Sequence, residues 1–166
     1  MKLIQLVVVC VASVVVSEAA LAAGAGNDRD FITKAIKGDN SEIMLGGVAQ
    51  QRGATPDMRA FGAMLVADHT KARDQAITVA HDLGVSPPSG AMAEADVERA
   101  KLALLSGPSF DREFAKYMVN DHRHDIADFE AEATQGHGAA AALARKSLPV
   151  LRKHLSAAER LAAHHG

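Results

Sequence analysis

Cysteine is all but missing: among 166 residues the only one is Cys10. A disulfide scaffold is therefore excluded, as are a cysteine-ligated zinc site and a thiol nucleophile anywhere downstream. Tryptophan is absent, and tyrosine and phenylalanine number 1 and 5. Little is available for stacking bases or sugars. Neither sign of charge prevails, since 18 Lys and Arg against 20 Asp and Glu leave a net −2. That balance argues against a nucleic-acid partner, which would draw on a basic surplus, and against an acidic disordered tail. No phosphate-cradling glycine loop, Gly-x-Ser-x-Gly elbow or zinc-protease motif occurs. Proline is confined to Pro56, Pro87, Pro88, Pro108 and Pro149, and no stretch alternates polar and apolar residues with period two. A β-sheet is not expected.

What is present begins with a leader. Lys2 precedes an apolar run from Leu3 to Val16, followed by Ser17-Glu18-Ala19-Ala20-Leu21-Ala22 with small residues at the −3 and −1 positions of a cleavage after Ala22. This is the layout of a secretory signal peptide, and the run is short for a membrane span. The reading divides the chain into a signal peptide, 1–22, and a domain, 23–166. It places the mature protein in the periplasm or outside the cell, with no transmembrane segment after cleavage. A cysteine-free exported domain suits an oxidising compartment.

The rest reads as helix, with hydrophobic residues making up 48% of the chain. Apolar residues recur at spacings of three and four over four long segments. The first spans Asn27 to Arg52, with Asn27 as cap and Gly53 as stop. The second opens on Thr55-Pro56-Asp57, a cap, a first-turn proline and an acid that suits the helix dipole, and ends before Gly84. After the Ser86–Gly90 loop a short helix covers Ala91 to Leu105. Ser106-Gly107-Pro108 opens the third long helix, which reaches Thr134. The fourth runs from Ala139 to about Ala163, with Pro149 expected to kink or split it. Long helices joined by one long crossover predict an all-α four-helix bundle.

A repeat links two of these helices. Phe61-Gly-Ala-Met64-Leu65-Val66-Ala-Asp68-His69 parallels Phe114-Ala-Lys-Tyr117-Met118-Val119-Asn-Asp121-His122. The shared Asp-His pair goes beyond what two amphipathic helices would share by patterning alone, and fits a bundle made of two related hairpins. Phe61 should then correspond to Phe114, and His69 to His122.

The chain resembles domain of unknown function 4142, a set of exported bacterial proteins. The resemblance is carried by Asp30 to Ala35, Glu42 with Leu45-Gly46, Phe61 to Lys71, and Phe110-Asp111 leading to Met118-Val119-Asn120-Asp121-His122. Phe129-Glu130 and Leu148 to Leu155 complete it. It implies a ferritin-like bundle and no settled activity.

Wheel positions at 100° per residue place Glu42, His69, His122 and His154 on the apolar stripes of the four long helices, each near mid-helix. Asp68, Asp121 and Asp125 lie on or beside those stripes. A buried charge needs a partner, and these groups are one another's natural partners. One reading has the four converge on a divalent transition metal such as zinc, iron, manganese or copper. The three aspartates would then be further ligands or would orient the imidazoles, each repeat histidine being held by the aspartate before it. The other reading is a buried hydrogen-bonded network that fixes helix register. A di-iron bundle uses Glu-x-x-His on two helices, but here Glu42 is followed at +3 by Leu45. Ferroxidase chemistry is not implied, and a binding protein is expected rather than an enzyme. Its role would lie in envelope stress or metal handling. The alternative is a helical module that binds a protein partner or envelope component. His81, His124, His137 and the terminal His164-His165 are read as surface or loop groups, the methionines as core filler, and Glu130 as a surface residue.

Overall fold

The computed structural model describes residues 18–164, with side chains from Asn27. Most of the expected leader lies outside the described residues. Five helices follow in order: α1 (Glu18–Arg52), α2 (Pro56–Asp82), α3 (Ala93–Ala103), α4 (Gly107–Gln135) and α5 (Gly138–His164). No strand occurs among the described residues. None of these helices is long and apolar enough to cross a membrane.

α1 packs along α2, and α4 along α5, as two hairpins. The first hairpin turns at Gly53-Ala54-Thr55. Thr55 caps α2 by accepting the Met58 amide at 3.2 Å, and Pro56 occupies the first turn, as the sequence predicts. The Asp111 carboxylate of α4, fully buried, reaches into this turn and accepts the amides of Ala54 and Thr55 at 2.8 and 3.0 Å. It thereby fastens one hairpin to the other.

The crossover returns along α1. Arg29 donates to the Leu83 carbonyl, Asn40 to the carbonyls of Pro88 and Gly90, and Arg52 to those of Leu102 and Leu105. Successive anchor points on α1 meet successive points on the crossover, so both run in one direction. The chain therefore re-enters at the end where α2 began, and α4 runs parallel to α2. The repeat confirms that polarity: Phe61 meets Phe114 at 6.2 Å between ring centroids, and His69 meets His122 at 5.8 Å.

Two expectations at helix ends are corrected. Asn27 is not a cap, because α1 already runs through it from Glu18. Pro149 does not split α5, which is continuous from Gly138 to His164. Pro149 sits on the exposed face, where a carbonyl deprived of its helical partner is open to solvent. The short helix is trimmed at both ends, its entry pinned by the Met92 amide on Ser41 Oγ at 2.9 Å.

The core falls into two apolar clusters. One holds Leu45, Met58, Phe61, Leu65, Phe110, Phe114, Met118 and Leu161. The other holds Phe31, Ile32, Ile36, Ala76, Ala80, Leu143 and Ala144. Between the two clusters each long helix buries at least one polar side chain, and these form a layer across the middle of the molecule.

Candidate metal centre

That layer is the cluster of Glu42 on α1, His69 on α2, His122 on α4 and His154 on α5. All four are buried, with His122 and His154 fully inaccessible. The three imidazole rings form a near-equilateral triangle, with centroid separations of 5.8, 5.1 and 5.4 Å. One nitrogen from each ring lies within 4.8 Å of the other two.

Each ring has its second nitrogen fixed. His69 Nδ1 lies 2.8 Å from Asp39 Oδ1 and 2.8 Å from Glu42 Oε2. His154 Nε2 lies 2.9 Å from Asp68 Oδ2. His122 Nδ1 donates to the Met118 carbonyl one turn back, at 3.1 Å. With those three nitrogens taken up, His69 Nε2, His154 Nδ1 and His122 Nε2 are the ring atoms that face inward. His69 Nε2 and His154 Nδ1 are 3.2 Å apart. His122 Nε2 and Glu42 Oε1 face each other at 3.2 Å, and neither has a hydrogen-bond partner. A proton on His122 Nε2 or a metal ion would satisfy both.

The charges follow from the geometry. Burial works against ionising Glu42, but the neighbouring imidazoles, His69 foremost, overcome it and hold the carboxylate down at about 2. Burial likewise opposes a charge on His69, and the Glu42 carboxylate with the bonds to Asp39 and Glu42 raises it well above 6.5. Burial dominates at His122, which is lowered, and at His154, which is lowered to about 4. Burial also raises Asp39 to about 6. His69 therefore carries the proton of the triad, and the other two rings are neutral.

Two of the expected aspartate roles are corrected. Asp68 and Asp121 do not hold the histidines that follow them, because neighbours on a helix point 100° apart. Asp68 instead crosses to His154. Asp121 bonds Glu42 and Tyr117, and burial with the Glu42 charge raises its carboxyl to about 8. Asp125, half-buried, joins Asp121 in a cavity of about 270 Å³ that also takes in Asp39, Glu42 and His69. Burial, then the charge of Glu42, keeps Asp125 well above the ordinary carboxylate range. Exposed His124 and Glu94 line the same cavity, so it reaches the surface.

The sequence reading missed Asp39. It stands three residues before Glu42, one helical turn along the same face, and that spacing was the available signal. His81, His124 and His137 are exposed, and Glu130 pairs with Arg152 at 2.7 Å on the surface.

Fold and cluster together define an all-helical protein with a buried histidine and carboxylate centre shared by its hairpins. The model of the family called Domain of unknown function (DUF4142) matches residues 14–161, and the chain belongs to that family. The fold is similar to the crystal structure of a DUF305 fragment from Deinococcus radiodurans. The two have a TM-score of 0.74 at 15% identity, over 83% of this chain and 96% of that one. No curated protein matches the sequence.

Proposed function

We propose that this is an exported metal-binding protein with a ferritin-like four-helix bundle, holding one divalent transition-metal ion at Glu42, His69, His122 and His154. The observation that carries the reading is the convergence of three imidazole nitrogens within 4.8 Å, each on a ring whose other nitrogen is fixed. Metal-ligating histidines are characteristically held in this way by carboxylates or carbonyls. Three nitrogens and one carboxylate oxygen suit zinc, iron, manganese or copper. Glu42 would offset part of the ion's charge, Asp39 and Asp68 would keep their rings in the ligating tautomer, and the cavity beside Asp121 and Asp125 would give a cation its way in. The ligand set lacks the paired Glu-x-x-His of di-iron oxidation, so the role is metal handling or envelope stress rather than catalysis. Export rests on Lys2, the Leu3–Val16 run and the small residues before Ala22, and N-terminal sequencing of the native protein reads it directly.

The decisive experiment is metal analysis of untagged protein, followed by titration with each of the four metals. One ion per chain is expected, with His69→Ala and His122→Ala losing it to a similar extent. A parent protein that binds none of the metals, or variants that retain full affinity, would overturn the proposal and leave the cluster as a structural network.

A further inference from the structure

A second pair of buried acids lies outside the histidine layer. Asp28, in the first half of α1, is 7% exposed, and Glu132, in the last turns of α4, is 8% exposed. The two carboxyl groups meet across the α1–α4 contact, and burial, then the charge of Asp28, pushes Glu132 up. Asp28 Oδ1 and Glu132 Oε1 are buried without any hydrogen-bond donor. Both line a cavity of about 310 Å³ that also takes in Asp30, Asp128, Asn27 and Gln135. Lys34 lines it too. At its edge stands Gly136, where any side chain would collide with Glu132 Oε1. The glycine leaves the carboxylate room to lie where it does.

We propose that the Asp28–Glu132 pair, with the cavity it lines, is a binding site for a hard divalent cation, calcium before magnesium. Beside the Lys34 ammonium, the atoms that could ligate a cation there are carboxylate and amide oxygens, with no histidine or cysteine, which disfavours zinc and copper and suits an alkaline-earth ion. Two carboxylates cannot both stay charged and unsolvated at contact distance, and neither offers the other a donor. A dication accepts both oxygens and cancels the repulsion. Water and the Asn27 and Gln135 amide oxygens can complete the six to eight ligands calcium takes, whereas magnesium demands a stricter octahedron. An ion there would tie the first half of α1 to the end of α4, far along both helices from Glu42 and His122.

The test uses the full chain, stripped of metal and titrated with calcium and then magnesium chloride to the millimolar range typical of extracellular calcium modules. Melting temperature and calorimetric binding are both read. Calcium is expected to raise the Tm by about 3–6 °C, from mass action on the folded state alone. Glu132→Gln and Asp28→Asn should abolish the shift while the protein still folds, because each amide supplies the donor the pair lacks. His122→Ala should keep the calcium response, which separates this site from the central one. An unchanged Tm in both ions would overturn the proposal and assign the pair a shared proton instead. So would a calcium response that survives in Glu132→Gln.

Discussion

His69 carries a proton at neutral pH, and that proton sits where a metal would bind. Its charge stabilises the metal-free fold fully below the unfolded histidine value of about 6.5. The contribution is lost as pH rises through the higher folded value. His122 and His154 are lowered, His154 to about 4, so they offer lone pairs throughout the neutral range. Competition with protons therefore falls on one ring, not three. Metal binding at pH 7 should release about one proton, measured by calorimetry in buffers of different ionisation enthalpy. The melting-temperature gain from metal should widen between pH 6 and pH 8.5. Release of three protons, or a gain that narrows with pH, would contradict this assignment. The four residues of the cluster were legible from helical spacing because each sits among apolar residues of its own helix. Their mutual pairing was not, because it depends on which helix lies beside which. Asp39 and Asp68 show this: each serves a histidine on a different helix. Asp39→Ala should weaken metal binding roughly 10–100-fold, the usual cost of losing a carboxylate behind a ligating ring, and titration of the variant measures it.

α1 and α2 touch backbone to backbone at Gly46 and Gly62. A Cβ on Gly62 would lie 2.5 Å from Gln50 N and 2.6 Å from the Gly46 carbonyl oxygen. Those atoms belong to main chain and cannot turn aside. Gly62→Ala should cost about 1–3 kcal/mol by forcing the helices apart, and should also weaken metal binding by drawing Glu42 away from His69. Gly47, with nothing within 4 Å of the same position, supplies the control. Gly47→Ala should be neutral or gain up to about 1 kcal/mol. Chemical denaturation separates the two. Helix limits were largely readable from caps and stops: Thr55, Gly84 and Gly136 mark real ends. Asn27 misled because a capping residue can also lie exposed within a longer helix, and Pro149 leaves α5 unsplit because an outward-facing proline loses a bond that solvent replaces.

The two apolar clusters and the polar layer between them make a core in three storeys. Phe114 lies in the first cluster, stacked on Phe110 at 6.1 Å and edge-on to Phe61. Phe114→Ala should cost about 3–5 kcal/mol in thermal or denaturant unfolding. The repeat marked Phe61 with Phe114, and His69 with His122, as corresponding positions in the amino-acid order itself, and in the fold the rings of each pair meet at one level of the core. The crossover's path along α1 was not readable, because it hangs on single polar bonds such as Asn40 to Gly90. The spread of the centre over four helices also sets an order of events. No helix supplies more than one of Glu42, His69, His122 and His154, so an unfolded or half-folded chain holds no chelate made from them. Loading would come last, after both hairpins have docked, and the ion would act as a reporter of completed folding. Because the unfolded chain competes so weakly, nearly all of the binding energy would appear as added stability. A refolding chain should accordingly acquire metal only after its helical signal has fully recovered, at a rate independent of metal concentration once folding is limiting.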